Sequence, residues 1–177
     1  MTLSAAIRFF SLLALIAGSG AIVLAILRLI PPRSFPAGAR LLEQLHAARL
    51  WLAWAVAATA TFGSLYFSEV QHLVPCKLCW YQRIAMYPLA VILLVGAIRK
   101  DAAVRFYALP VAAIGLCIAV YHYLIEWNPQ WETGSCDVAA PCTAPYFREF
   151  DFISLSFMAI CGFAAIIALL VFPRQEQ

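Results

Sequence analysis

Charged residues are scarce in this chain. Of 177 residues, Lys and Arg contribute 12 and Asp and Glu 9, so 12% carry charge, where a soluble domain runs near a quarter. That shortage excludes an ordinary soluble fold. A 64% hydrophobic composition with a mean hydropathy of +0.86 points instead to an integral membrane protein. The formal net charge of +3 is informative through its distribution rather than its sum, and it gives no reason to expect a nucleic-acid partner. Several chemical signatures are also missing. No Gly-rich phosphate loop, nucleophile elbow or H-E-x-x-H occurs, and none of His46, His72 and His122 completes a C-x-x-C-H haem attachment. The apolar runs are continuous and not alternating, which excludes a closed β-barrel.

What remains is helical. A span takes about 20 mostly apolar residues, and five segments approach that: Phe9 to Ile30, Ala47 to Phe67, Ile84 to Ala97, Phe106 to Ile125 and Ile153 to Phe172. The third is short unless its helix opens in the run PCKLCWYQR, Pro75 to Arg83. The expected fold class is therefore an all-α integral membrane protein: a four-helix transmembrane bundle at 47–177, preceded at 1–46 by one extra transmembrane helix and a basic linker. That linker, PPRSFPAGARLLEQLHAARL, is read as a short amphipathic helix on the inner surface with Leu41, Leu42 and Leu45 toward lipid.

Basic residues set the orientation. Arg28, Arg33, Arg40 and Arg49 follow the first span, Arg99, Lys100 and Arg105 lie between the third and fourth, and Arg174 closes the chain. The positive-inside rule then puts the N-terminus outside and the C-terminus inside, so both cysteine-bearing loops face outward. The first span is long for a signal-peptide core and is followed by basic residues, which favours a retained helix.

Of six cysteines, Cys117 and Cys161 fall within spans and read as small apolar side chains. Cys76 and Cys79 lie in one outer loop, Cys136 and Cys142 in the next, on the side where disulfides form and persist. With Pro75 before a helix start, Cys76 and Cys79 share one face of its first turn. Free N–H groups and the helix dipole favour a thiolate there. Arg83 stands four residues beyond Cys79, either as a fixed positive charge on that face or as a membrane-surface anchor. The loop EWNPQWETGSCDVAAPCTAPYFREFDF is turn-rich. A Cys136–Cys142 bond in it is either an exchange-prone disulfide or a staple. Trp127, Trp131, Phe147 and Phe150 look like interfacial anchors for it. Zinc on four thiolates is the competing use of the cysteines. It is disfavoured because structural zinc serves small domains without a core, so no metal is expected.

PCKLCWYQR followed by IAMYPLAVILL resembles the helix-opening signature of the DsbB family, and the closely spaced CDVAAPC is similar to its BdbC-like branch. The likeness extends from about Leu50 to Phe172, through TATFGSLYFSEVQHLVPC and FDFISLSFMAICGF. The helix pair precedes the loop pair, the reverse of the order in vitamin K epoxide reductases. Gln82 stands where the family motif often has an acid, and the first span has no counterpart in the common four-span form.

The resemblance implies a membrane thiol oxidase in the bacterial cytoplasmic (inner) membrane. It would reoxidise an exported DsbA-like thioredoxin-fold protein and pass two electrons to the quinone pool, ubiquinone or menaquinone. In that scheme Cys136 forms the mixed disulfide with the partner, Cys142 attacks Cys76, and Cys79 becomes the thiolate beside the quinone. Arg83 and His122 would bind that quinone, in a slot for which Gly63, Ser64, Tyr66, Trp80 and Tyr81 are candidate walls. The alternatives are a scaffold with static outer disulfides and, less favoured, a conduit carrying electrons outward through Cys117 and Cys161.

Overall fold

Three of the helices start where a side chain satisfies a free N–H group of the first turn. In the computed structural model, which describes residues 2–30, 36–134, 136–137 and 140–171, five α-helices carry the chain: α1 (Leu3–Leu29), α2 (Pro36–Leu65), α3 (Lys77–Arg99), α4 (Arg105–Trp127) and α5 (Leu155–Leu170). Thr2 caps α1 by accepting from the Ala5 N–H, Cys76 caps α3, and Ser154 caps α5 by accepting from the Phe157 N–H. Among the described residues there is no strand, only two isolated bridges within the loop after α4.

Four helical stretches are long and apolar enough to cross a membrane: Leu3–Leu29, Gln44–Val70, Lys77–Arg99 and Ala102–Trp127. With 16 residues, α5 reaches about 24 Å. It begins at Leu155 rather than Ile153 because a turn at Phe150 and Asp151, both at positive φ, delays the cap to Ser154. Phe172 and Arg174 lie outside the described residues, as does Arg33. The third segment lengthens as expected, with CKLC as its first turn.

One expectation changes. The linker does not form a separate surface helix: α2 runs unbroken from Pro36 to Leu65 and continues as a π-helical turn, Tyr66–Val70. No glycine or proline interrupts the chain between Leu41 and Phe62, so nothing stops the helix at the membrane boundary. Leu45 packs against the core instead of facing lipid, and the side chains of Leu41 and Leu42 are outside the described set. The boundary drawn at residue 46 therefore falls inside a helix.

The helices α2, α3, α4 and α5 form a ring in which each packs on its two neighbours, and α1 lies outside against α5 and α2. Small residues line the seams, with Ala53, Ala57, Ala85, Ala108, Ala112 and Ala119 packed among Leu89, Leu93, Phe163 and Ile166. This is the close backbone approach expected of helices in lipid. At Gly115 a Cβ would stand 2.4 Å from the Phe163 ring, and at Gly96 one would stand 2.8 Å from Val104. The second contact makes the tight α3–α4 corner, closed by Lys100 in the left-handed region. Phe9, Ile16, Ile22, Phe62, Ile84, Val91, Phe106 and Ile114 point outward, an apolar exterior suited to hydrocarbon.

Candidate redox site

Four ends meet at one side of the bundle: the start of α1, the end of α2, the start of α3 and the end of α4. There Cys76 adopts an extended N-cap conformation, and its sulfur accepts the Cys79 N–H at 3.3 Å. The two sulfurs lie 2.9 Å apart and share a hydrogen bond. Both are free thiols, Cys76 buried and Cys79 half-buried. The hydrogen bond with Cys79, followed by hydrogen bonding and charge from His122, pushes the Cys76 thiol down to about 4 against the opposing effect of burial. That direction agrees with its place at a helix N-terminus, which favours the thiolate form.

The loop pair is a disulfide, Cys136–Cys142, with Cα atoms 5.9 Å apart. Its loop is fastened to the bundle from several directions. The Tyr146 hydroxyl donates to the Val74 carbonyl at 2.8 Å and Tyr121 to Trp131 at 3.2 Å. Arg148 donates to the Glu126 carbonyl at 2.8 Å while lying 4.0 Å above the Trp127 ring. Arg8 of α1 pairs with Glu149 at 3.3 Å. Of the four expected interfacial anchors, Trp127, Trp131 and Phe150 are exposed, whereas Phe147 packs on Phe67 at the end of α2. The result is that Cys142 is buried against Cys76, Leu78 and Ile125, with Cys79 and Cys136 at the edge of the same cluster. All four expected site cysteines thus come together, although Cys136 lies 57 positions after Cys79 in the chain.

His122 sits between the pairs. Its Nε2 is 3.1 Å from the Cys142 carbonyl oxygen and 3.6 Å from Cys76 Sγ. A carbonyl only accepts, so Nε2 carries a proton and Nδ1, 3.0 Å from Gln82 Nε2, accepts from that amide. One turn on, Glu126 Oε1 stands 3.8 Å from Nε2. Glu126 is buried and receives a 2.6 Å hydrogen bond from Ser156, whose hydroxyl lies 2.8 Å from that of Ser154. Sequence reasoning overlooked Glu126 and Ser156, and noted Gln82 only as a departure from the family motif. The i,i+4 spacing of His122 and Glu126 was the one signal available. Cys76, Cys79 and His122 also offer three donor atoms within 4.8 Å of one another, a set that suits a soft cation.

On the other side of Cys79 a cavity of about 670 Å³ opens between α1, α2, α3 and α5. Its walls include Cys79, Gln82 and Arg83, with Gly63 and Ser64 from α2, Phe10 from α1 and Met158 from α5. Arg83 is buried at this wall. Its Nε donates to Ser64 Oγ and one terminal nitrogen to the Ser64 carbonyl, each at 2.9 Å, and its guanidinium lies 5.2 Å from the Trp80 ring. The guanidinium is therefore fixed and not a snorkelling anchor. Neither His122 nor Cys76 is among the lining residues, and neither are Tyr66, Trp80 and Tyr81. Helical phase explains the last two: they follow Cys79 by one and two positions, about 100° and 200° around α3, and are exposed. Tyr66 instead packs near Phe10 and Phe67.

A bundle of apolar helices holding a dithiol against a disulfide is the arrangement of a membrane protein that exchanges disulfides. The chain belongs to the DsbB family: the model for disulfide bond formation protein DsbB matches residues 46–173. It is 47% identical over 126 residues to a probable disulfide formation protein C 2 of Bacillus anthracis, covering 71% of this chain and 90% of that one. A disulfide bond formation protein C of Bacillus subtilis is 41% identical over 129 residues, covering 72% and 94%. A probable disulfide formation protein of Deinococcus radiodurans is 46% identical over 137 residues, covering 72% and 90%. No solved structure matches. The protein is thus a disulfide-forming, multi-pass membrane protein, and α1 lies outside the matched segment.

Proposed function

We propose that this protein is a protein-dithiol:quinone oxidoreductase that reoxidises an exported thioredoxin-fold partner of the DsbA type. The observation that carries the reading is the position of Cys79: its sulfur is 2.9 Å from Cys76, in the cluster that contains the loop disulfide, and it also lines the large cavity. One cysteine thus bridges the exchange site and a chamber of ligand size.

A partner thiolate attacks Cys136 and breaks the Cys136–Cys142 bond, and the partner's second thiol then releases itself as a disulfide. Cys142 attacks Cys76, freeing Cys79 as a thiolate. Cys136 next attacks Cys142, closing the loop disulfide and leaving the electron pair on Cys76 and Cys79. The cavity fits a quinone ring, with an apolar lining and one buried guanidinium, Arg83, beside Cys79. A bound quinone supplies a two-electron, two-proton acceptor. Arg83 would hold its ring oxygens and favour negative charge both there and on Cys79. Disulfide at Cys136–Cys142 with thiols at Cys76 and Cys79 corresponds to the stage after transfer between the pairs. The basic residues Arg99, Lys100 and Arg105 at the end opposite the cysteines support an outward-facing site by the positive-inside rule.

The test is quinone reduction by the purified protein in detergent, with a reduced thioredoxin-fold dithiol protein as donor. Turnover lost in both Cys79→Ser and Cys136→Ser is the expected result. No turnover with several donors and both ubiquinone and menaquinone analogues, while both pairs resist mild reductant, would favour a static scaffold.

A further inference from the structure

The cavity accounts for Cys79 and Arg83 but leaves a buried polar group unused. His122, Glu126 and Ser156 form a connected set outside the cavity lining, joined through His122 to Gln82 at the cavity wall. Glu126 Oε2 is buried without a hydrogen-bond partner. Its other oxygen faces His122 at 3.8 Å and takes the Ser156 hydroxyl at 2.6 Å. An isolated buried carboxyl group is costly. This one has two polar neighbours, the Ser156 hydroxyl and an imidazole whose Nε2–H points at the Cys142 carbonyl and at the Cys76 sulfur.

We propose that His122 is the catalytic hydrogen-bond donor for exchange between the two cysteine pairs, and that Glu126 is its positioning residue. The proposal rests on the relay described above, and it assigns His122 to the transfer between pairs instead of to the quinone. When Cys136 attacks Cys142 of the Cys142–Cys76 bond, the Cys136–Cys142 bond forms and the Cys142–Cys76 bond breaks. The electron pair leaves on Cys76, while the proton lost by Cys136 goes to the solution. Nε2–H donates to that leaving sulfur, and a better-stabilised leaving thiolate departs faster. The same N–H holds the Cys142 carbonyl and so keeps the loop disulfide against Cys76. Gln82, donating to Nδ1, fixes the tautomer in which Nε2 bears the proton, and Glu126 favours that proton by its charge.

The experiment uses full-length protein in detergent, free of quinone and with both pairs oxidised. A reduced thioredoxin-fold dithiol protein is mixed in, and samples are quenched and alkylated over time. Thiols at Cys136 and Cys142 report the donor step, and thiols at Cys76 and Cys79 report the transfer between pairs. In His122→Phe the second phase should slow by about tenfold to a hundredfold, the range for loss of a hydrogen bond to a charged group, with the first phase unchanged. His122→Gln keeps an N–H donor and should recover part of that loss. Glu126→Gln preserves shape and the Ser156 bond, so a selective slowing of the second phase there reports the effect of the carboxylate on the Nε2–H rather than packing. A second phase of wild-type rate in His122→Phe would overturn the proposal, and so would equal slowing of both phases in His122→Phe and Glu126→Gln. A wild type that takes no electrons from the donor would overturn the relay itself. A relay that runs to Cys79 but fails with every quinone leaves the His122 result standing and refutes only the acceptor.

Discussion

Ser64 is the most direct handle on how the acceptor site is held. Its hydroxyl receives Arg83 Nε at 2.9 Å and the Tyr87 hydroxyl at 3.3 Å, while its carbonyl receives a second guanidinium nitrogen at 2.9 Å. Ser64→Ala deletes the first two contacts and leaves the third. A hydrogen bond involving a charged group is worth about 1.5–3 kcal/mol. The surviving bond and the Trp80 ring, together contributing at least about 2 kcal/mol, keep Arg83 at the wall but with freedom to rotate. Loss of about 1–2 kcal/mol of orientation corresponds to a quinone-dependent step slower by roughly fivefold to thirtyfold. The assay is stopped-flow reoxidation of the Cys76–Cys79 pair by quinone, with electron uptake from the donor dithiol measured separately. The donor step should be unaffected, because Ser64 touches neither loop cysteine. If Ser64→Ala reoxidises within twofold of wild type while Arg83→Ala does not, orientation of the guanidinium by Ser64 is irrelevant and only its charge matters. If both steps slow together, the serine supports the fold and the reasoning fails.

Gly115→Ala should lower the thermal midpoint in detergent by forcing α4 off α5, since its Cβ would meet the Phe163 ring at 2.4 Å and overpacking typically costs about 1–3 kcal/mol; an unchanged midpoint would mean that the ring swings aside freely. The double variant Cys117→Ala, Cys161→Ala should retain donor-to-quinone turnover within about twofold, because neither thiol is among the clustered redox cysteines; loss of turnover without unfolding would implicate them in electron flow. Phe10→Ala should raise the KM for quinone and leave the donor step alone, as the ring tip rests on Gly63 at the cavity wall; an unaltered KM would remove α1 from the acceptor site.

The readable parts of the molecule are those with a local cause. Continuous apolar runs define the helices, and Pro75 followed by two thiols three apart announces a helix start, which is where Cys76 caps α3. Arg83 could be set beside Cys79 because an i,i+4 relation is fixed by helical geometry alone. Juxtapositions between distant segments had no such code. His122 is 46 residues from Cys76, and nothing local distinguishes a histidine facing the loop disulfide from one facing the cavity. Gln82 reads as a mere departure from a motif until its amide is found 3.0 Å from the imidazole. The linker misled for a different reason: charge and apolar spacing suit a surface helix, but with no breaker between Leu41 and Ala47 the helix propagates straight into the span.

The added helix α1 matters for the same site. The family match begins at residue 46, so the ring of α2 to α5 is the shared part and α1 is additional. Its attachment is not casual. Arg8 pairs with Glu149 at 3.3 Å at the cysteine end, Arg28 donates to the Ala168 carbonyl at the other, and between them Ala14, Ala17, Ala21 and Leu24 line the chamber that reaches Cys79. Without α1 the gap between α2 and α5 would open directly to lipid, and an apolar ligand could slide in from the bilayer along its length. With α1 in place, the same gap becomes a walled chamber in which small side chains on α1 leave room for the ligand while Phe10 narrows it beside Gly63. In the proposed reading, the core supplies the chemistry through Cys79 and Arg83. The helix outside the family segment then shapes the chamber through which the proposed acceptor would approach them.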